Sequence, residues 1–93
     1  MSRVSGTFVI VNERGLHARA ASHFVNVANR FESRIEVEKD GRSVDGRSIL
    51  GIISLLGLRG SSIRVTAEGG DAEKALEALG ELVALGFEEG VGR

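Results

Sequence analysis

The fold class is decided by the stretch Ser33-Arg34-Ile35-Glu36-Val37-Glu38-Lys39-Asp40-Gly41-Arg42-Ser43-Val44. Apolar Ile35 and Val37 alternate with charged neighbours, which is the pattern of a strand with one buried face and one solvent-exposed face. Asp40-Gly41 is a strong signal for a two-residue hairpin turn, because both residues tolerate a positive φ. We therefore predict an antiparallel hairpin that joins a strand at 33–39 to a short return strand at 42–44.

Segments on both sides of the hairpin also have strand or helix patterns. β-Branched and aromatic residues predict a strand at 7–11, and alternation of apolar with polar residues predicts another at 62–67. Apolar residues recur at helical spacing in three further segments, which predicts helices over 19–30, 49–56 and 72–83. The order β-α-β-β-α-β-α is typical of an α+β fold in which helices pack on one face of an antiparallel or mixed sheet.

Turn-forming and capping residues mark the ends of these elements. Ser48 is a good N-cap for the second helix, because its hydroxyl can accept a hydrogen bond from a free backbone N–H. Asp71 follows Gly69-Gly70, which ends the fourth strand, and we expect it to cap the last helix near the positive end of the helix dipole. Gly86-Phe87 is expected to stop that helix, and 88–93 to form a loose tail.

The composition of the chain excludes several classes of function. A single domain over 1–93 is expected at this length, and the absence of Cys excludes disulfides and thiolate metal sites. The 12 basic residues nearly balance the 13 acidic ones, so no strong attraction to nucleic acid is expected. His17 and His23 lie on different faces of the first predicted helix, so we expect no metal and no cofactor. The longest apolar run is too short for membrane insertion, and a cytoplasmic location is expected.

His17 is the strongest candidate for chemistry. It lies between the turn-forming Gly15 and the first turn of the predicted helix, where backbone N–H groups lack partners within the helix and the dipole adds partial positive charge. Arg19 adds a guanidinium group, whose planar set of donors suits phosphate. This arrangement favours a phosphate-related role, and an ordinary polar cluster at a helix N-terminus is the alternative.

The second predicted helix is apolar around nearly its whole circumference. A helix on the surface of a domain buries only one face, so part of this apolar surface should be exposed. We interpret it as a docking surface for partner proteins, and a deeply buried helix is the alternative. The residues assigned to the docking surface are Ile49, Leu50, Ile52 and Ile53.

Three segments of the chain resemble signatures of the HPr family, the phosphocarrier proteins of the bacterial phosphotransferase system. Residues 12–21, Asn-Glu-Arg-Gly-Leu-His-Ala-Arg-Ala-Ala, are similar to the active-site signature N-x-x-G-L-H-A-R-P-A. Residues 45–52 are similar to the regulatory-serine segment, which usually contains K-S-I-M-G-V, and residues 69–76 to the G-x-D-E-x-x-A-L opening of the last helix. The resemblance implies an open-faced β-sandwich, with a four-stranded antiparallel sheet and three helices on one face.

The resemblance also implies the roles of the residues at the active site. His17 would accept a phosphoryl group on Nδ1 from enzyme I charged by phosphoenolpyruvate, and would pass it to a histidine of an enzyme II A domain. Arg19 would neutralise the phosphoryl oxygens, and the backbone N–H groups of Ala18, Arg19 and Ala20 would surround them. The protein would then be a monomeric carrier in a sugar or nitrogen-regulatory branch, and not an enzyme with a turnover of its own.

Two further implications concern Ser48 and Ala20. Ser48 would be phosphorylated by an ATP-dependent kinase, the HPr kinase/phosphorylase, and the added charge would obstruct docking to the second helix. Arg47 retains the positive charge that the family often supplies with lysine. Ala20 replaces the proline of the family signature, in a chain that contains no proline at all.

Two other functions are compatible with the same sequence. One is a purely regulatory interaction module that acts through Ser48 and the apolar second helix. The other is an unrelated small α+β domain that binds a ligand. The presence of both His17 and Arg19 favours the phosphocarrier.

Overall fold

The computed structural model describes residues 2–88, and it forms one four-stranded sheet with three α-helices and a final 3-10 turn. In chain order the elements are β1 Ser2–Val9, α1 Ala18–Ala28, β2 Arg34–Lys39, β3 Arg42–Asp45, α2 Ile49–Ser54, β4 Ser62–Gly69, α3 Ala72–Ala84 and the 3-10 turn Gly86–Glu88. Helices of the described chain are too short or too polar to cross a membrane.

The sheet has the strand order β1-β4-β2-β3, and every neighbouring pair is antiparallel. The predicted hairpin is confirmed, since Lys39 pairs with Arg42 across a turn in which Asp40 has φ 52° and Gly41 has φ 80°. The open antiparallel sheet with three helices therefore agrees with the predicted α+β class. β4 therefore lies between β1 and β2 and pairs with both of them.

The core lies between one face of the sheet and the helices. In β4, Ile63, Val65 and Ala67 are buried while Ser62 and Arg64 are exposed, as the alternating pattern predicts. The burial of apolar area in this layer supplies the main favourable term for folding. Its largest fully buried side chains include Phe24, Phe87, Ile10, Ile35, Ile52, Ile63 and Leu79.

The first strand differs from its prediction. It was expected at 7–11, but β1 is Ser2–Val9. The first half of the strand was not predicted because polar residues on its outer face interrupt the apolar pattern. Val4, Gly6 and Phe8 face the helices. Ile10 remains buried after the strand ends, because its backbone bonds to the connector before β4: its N–H donates to Ser61 O at 2.9 Å, and its carbonyl accepts from Gly60 N at 2.7 Å.

Asp71 lies at the predicted N-terminus of α3, but its carboxylate does not cap that helix. It accepts hydrogen bonds instead from the backbone N–H groups of Glu32 and Ser33, at 2.9 and 3.0 Å, and from the Ser33 hydroxyl. The prediction of a helix cap is therefore wrong, because a tertiary contact with the residues before β2 competes for the same carboxylate. β4 ends at Gly69, as predicted, and residues 89–93 of the predicted tail lie outside the described part of the chain.

The hydrogen bonds to Asp71 make a prediction about pH. The Ser33 hydroxyl and the Glu32 N–H hold the pKa of the Asp71 carboxyl below its usual value, because both bonds favour the charged form. A lowered pKa in the folded state adds stability that is fully present above the unfolded pKa, about 3.9, and is lost as the pH falls. We expect Asp71→Asn to lower the urea midpoint of unfolding at neutral pH and to lower it less in acid.

Asp40→Asn is the matched control for this prediction. Asp40 lies in the exposed hairpin turn, where asparagine also tolerates a positive φ. Its effect on the urea midpoint should be small at both pH values. A difference between wild type and Asp71→Asn that stays constant from neutral to acid pH would contradict the role assigned to the carboxylate.

Candidate functional site

The loop before α1 is closed by a turn and tied to the end of α2. Asn12 is buried, its Nδ2 donates to the carbonyl of Gly15 at 2.8 Å, and Gly15 N–H donates to the carbonyl of Asn12 at 3.2 Å. Leu16 is also buried, and its N–H donates to the carbonyl of Gly57 at 2.9 Å. The turn and this tertiary bond together fix the position at which His17 enters the helix.

Gly15 has a backbone conformation and an environment that both require glycine. Its φ is 66°, in the left-handed region, and a Cβ atom there would overlap the carbonyl oxygen of Gly57. Gly57 is similarly confined, since a Cβ atom on it would lie 2.6 Å from Leu16 Cδ1 and 2.7 Å from Ile10 Cδ1. The close approach of these two glycines brings the end of α2 against the loop that precedes His17.

His17 is the N-cap residue of α1, with an extended backbone at φ −78° and ψ 178°. Its carbonyl accepts the first helical hydrogen bond, from Ala21 N–H at 2.9 Å, and its Nδ1 accepts from Arg19 N–H at 3.2 Å. An Nδ1 atom that accepts a hydrogen bond carries its lone pair, so a neutral ring in this arrangement has its proton on Nε2. The structure therefore directs the Nδ1 lone pair of a half-buried histidine toward the first turn of the helix.

The first turn of α1 provides a positive environment for this ring. Ala18 and Arg19 are exposed, the Ala20 side chain is buried in the core, and the turn contains no acidic residue. The N–H groups at a helix start and the positive end of the helix dipole both favour an anion. The structure thus places the imidazole of His17 against the backbone N–H of Arg19, at the helix start that also contains the N–H groups of 18 and 20, and the Arg19 side chain is exposed beside it.

Ser48 is the N-cap of α2, as the sequence predicted. Its Oγ accepts a hydrogen bond from the backbone N–H of Gly51 at 2.9 Å, and its own backbone is extended at φ −104° and ψ 107°. The side chain is half-buried, at the start of a helix that packs against α1. Ser48 is therefore a capping residue in this structure, whatever further role it has.

The apolar surface of α2 is divided between the core and the solvent. Leu50 is 79% exposed and Ile49 is 39% exposed, whereas Ile52 is 1% exposed. Ile52 was expected on the docking surface, but it is a core residue because its side of the helix faces the core between α2 and the rest of the domain. Ile53 is half-buried and packs against the core.

Two exposed leucines outside the residues predicted for docking extend the apolar surface of α2 beyond the helix. Leu56 is 74% exposed and Leu58 is 72% exposed, on the two sides of Gly57. Because Gly57 bonds to Leu16, these leucines are linked through one residue to the loop that carries His17. Leu56 also has a φ of 54°, which is uncommon for a residue that is not glycine. The run of apolar residues from Ile49 to Leu58 was the available signal for both leucines.

Arg47 has a structural role that the sequence analysis missed. Its Nη2 donates to the carbonyl oxygens of Ala28, at 2.9 Å, and Phe31, at 2.6 Å. These are acceptors at the C-terminal end of α1, where carbonyls lack helical partners and a cation is favoured by the dipole. The segment before Ser48 is therefore attached to the far end of the helix that begins at His17.

His23 links α1 to the final 3-10 turn. Its Nδ1 lies 2.8 Å from the carbonyl oxygen of Phe87, and its Nε2 lies 3.7 Å from a carboxylate oxygen of Glu88. Since a carbonyl only accepts, this contact places a proton on Nδ1 of the His23 ring. Within residues 2–88 no cluster of three or more His, Asp or Glu residues is placed to hold a metal ion.

Comparison with known proteins identifies the family of the chain. The family described as PTS HPr component phosphorylation site matches residues 4–84. The chain is 42% identical over 82 residues to the phosphocarrier protein HPr of Pseudomonas aeruginosa, covering 87% of this chain and 91% of that protein. It is 41% identical over 90 residues to the multiphosphoryl transfer protein of Salmonella typhimurium, covering 94% of this chain. The chain spans about a quarter of that longer protein, 24% of its length.

Solved structures of HPr proteins also superpose on this chain. The crystal structure of a phosphocarrier protein HPr from Bacillus anthracis superposes with a TM-score of 0.84 at 47% identity, covering 89% of this chain and 99% of that one. A crystal structure named as an HPr dimer, from Thermoanaerobacter tengcongensis, has a TM-score of 0.72 at 46% identity and covers 84% of this chain and 90% of that one. The chain therefore belongs to the HPr family of phosphotransferase-system phosphocarriers.

Proposed function

We propose that the protein carries a phosphoryl group on Nδ1 of His17, taking it from phosphorylated enzyme I and giving it to an enzyme II A domain. The single observation that carries this proposal is the Nδ1 lone pair at the N-terminus of α1, 3.2 Å from the N–H of Arg19. In the transfer, a bond forms between Nδ1 and phosphorus while the bond from phosphorus to the donor nitrogen breaks. The protein is a carrier in the cytoplasm, and it acts as a monomer.

The surroundings of His17 suit a transfer of this kind. The transition state for phosphoryl transfer spreads negative charge over the equatorial oxygens, so it is stabilised by positioned donors and positive charge. Arg19 supplies a permanent cation, and the N–H groups of Ala18, Arg19 and Ala20 supply the donors of a helix start. The N–H that bonds Nδ1 in the free protein then has phosphoryl oxygens as its new acceptors.

The proposal is tested by incubating the protein with enzyme I and phosphoenolpyruvate. We expect one phosphoryl group per chain, bound through a P–N linkage that is stable in base and labile in acid. Addition of an enzyme II A domain should remove it. A phosphate that resists acid, or no incorporation at all, would contradict the proposed carrier function.

Ala20 provides a prediction about the lifetime of the phosphorylated protein. Proline at this position in the first turn would fix φ and remove one N–H donor from the site. We expect Ala20→Pro to stabilise the fold by about 0.4–1 kcal/mol, because the unfolded chain loses conformational freedom. Loss of the donor should at the same time speed hydrolysis of the phosphohistidine.

The measurements for Ala20→Pro are a urea denaturation curve and the half-life of the acid-labile phosphate. Ala20→Gly is the matched control, because glycine changes the freedom of the unfolded chain but keeps the backbone N–H. It should lower the stability by about 1 kcal/mol and leave the half-life at the wild-type value. An unchanged half-life in Ala20→Pro, together with an unchanged transfer rate, would show that the Ala20 N–H takes no part in binding the phosphoryl group.

We also propose that phosphorylation of Ser48 regulates the carrier, and that HPr kinase/phosphorylase is the class of enzyme responsible. The observation that favours this second function is the position of Ser48, at the N-cap of a helix whose neighbouring Ile49 and Leu50 are exposed. A phosphate at a helix N-terminus interacts favourably with the dipole, so the fold should persist. The same charge beside exposed apolar side chains should weaken docking of enzyme I.

The test of this regulation uses Ser48→Asp, which keeps a side chain able to cap the helix. We expect uptake of phosphate from enzyme I to fall by about tenfold or more, since a charge now borders the docking surface. Ser43→Asp, on the exposed part of β3, is the control for added charge alone. Equal rates in the two variants would contradict a specific role for Ser48.

A further inference from the structure

A shallow groove runs between β1 and α3 and shares no lining residue with the site around His17. Its volume is about 400 Å³. The floor is apolar and consists of the half-buried Val4, Phe8 and Leu76 with Gly80 of α3. Glu73, Glu77 and Glu81 form the rim, which we call the acidic ridge.

Two glycines fix the aromatic ring that forms part of this floor. Gly80 lies in the interior of α3, where glycine is unfavourable compared with alanine. A Cβ atom on Gly80 would overlap the ring of Phe8, and one on Gly6 would lie 2.8 Å from its Cζ. The Phe8 ring packs directly against the backbone of α3 at Gly80, which explains why α3 contains a glycine there.

The three side chains of the acidic ridge are all negatively charged, and within residues 2–88 no basic side chain forms an ion pair with them. Its three glutamates are spaced four residues apart along α3, so neighbouring carboxylates repel each other and destabilise the helix slightly. All three are exposed, and none forms an ion pair with a cation of the described chain. A ligand with positive charge along its length would relieve this repulsion.

The outer edge of β1 completes the surface. β1 ends the sheet and pairs only with β4 among the described strands, so its other edge presents unpaired backbone N–H and C=O groups. The strand has eight residues and carries no proline or lysine that would discourage a further strand. The open edge and the groove therefore lie side by side along the same strand.

We propose that this surface binds an extended basic segment of a partner protein, which adds to the sheet as a further strand beside β1. Main-chain hydrogen bonds to the edge would provide the pairing, as in other cases of strand addition. Alternate side chains of the segment face the helices, and lysine or arginine at these positions covers Val4, Phe8 and Leu76 with its methylene stem. The charged ends then reach the acidic ridge.

The charge pattern disfavours a second copy of the chain as the occupant. Two copies that pair β1 with β1, with their helices on the same side of the joined sheet, would bring their acidic ridges toward each other. Like charges placed side by side cost binding energy. The observations favour a basic partner over self-association for this reason.

The experiment uses a blocked peptide of alternating lysine and threonine as the probe, titrated into the ¹⁵N-labelled protein. We expect saturable shifts of amide signals in β1 and along the groove side of α3, with those of Leu50 and Leu56 unchanged. Glu73→Gln/Glu77→Gln/Glu81→Gln should weaken binding by about tenfold. The matched control, Glu36→Gln/Glu38→Gln/Glu68→Gln, removes three carboxylates from β2 and β4, outside the groove, and should retain binding.

A second peptide separates strand addition from attraction of opposite charges. Methylation of every backbone nitrogen keeps the side chains and the net charge of the probe but removes its N–H donors, so binding should be lost. Equal binding of the methylated peptide would overturn the proposal, and so would equal binding by the two triple variants. Shifts that map to Leu50 and Leu56 would also overturn it. Shifts of β1 that depend on protein concentration without peptide would identify a second copy as the occupant.

Discussion

His17→Ala is expected to abolish phosphoryl uptake from enzyme I completely, because the substitution removes Nδ1 of His17, the proposed phosphoryl acceptor. The same substitution removes an N-cap acceptor, which should lower the free energy of unfolding by about 1 kcal/mol. The folded protein therefore persists while its acceptor is lost. Circular dichroism and a urea curve establish the fold, and incorporation of phosphate establishes the activity.

The matched control for this variant is His23→Ala. His23 lies on the same helix, six residues away, and its ring contacts the 3-10 turn instead of the first turn of α1. We expect His23→Ala to accept phosphate as well as the wild type does. Acid-labile incorporation that persists in His17→Ala and disappears in His23→Ala would overturn the assignment of the acceptor.

Gly15→Ala is expected to have the largest effect among substitutions that leave the acceptor in place. Alanine at φ 66° costs about 1–2 kcal/mol in backbone energy, and its Cβ atom would in addition overlap the carbonyl oxygen of Gly57. The loop must move, which breaks the Leu16 to Gly57 hydrogen bond and displaces His17. We expect a total loss of about 2–4 kcal/mol in stability and a marked fall in the rate of transfer.

Gly41→Ala separates the backbone energy of alanine at a positive φ from the steric overlap with Gly57. Gly41 has a comparable φ of 80°, but a Cβ atom on it would have no atom within 4 Å. This variant should lose only the backbone energy, about 1–2 kcal/mol, and should transfer phosphate at the wild-type rate. Equal destabilisation of the two variants, measured by urea denaturation, would mean that the contact with Gly57 contributes nothing.

The sequence predicted those parts of the fold that depend on local pattern. The hairpin at Asp40-Gly41 and the Ser48 cap each rest on the chemistry of two to four adjacent residues, and both are present. It failed for β1, because the polar first half of an edge strand lacks the apolar signal of a buried one. It failed for Asp71 because the competing hydrogen-bond donors are 38 and 39 residues away along the chain.

The candidate site was predictable to a similar degree. Arg19 is two positions after His17, and both were predicted at the start of the first helix. The spacing of the two residues was sufficient for this prediction. The contacts that hold the site in place were not predictable, because they come from distant segments: Gly57 contacts Leu16, and Arg47 caps the opposite end of α1. Ile52 was placed on the wrong side of α2, since a helix of six residues gives its apolar pattern no clear direction.

The proposal that Nδ1 of His17 carries the phosphoryl group is tested most directly by locating the phosphate on the protein. The ¹⁵N-histidine-labelled protein is phosphorylated by enzyme I and phosphoenolpyruvate, and the ring nitrogens are then observed by two-dimensional NMR with coupling to ³¹P. We predict that a single ring is modified, that of His17, with phosphorus coupled to Nδ1. Phosphorus coupled to Nε2 of His17, to either nitrogen of His23 or to no ring nitrogen would contradict the account.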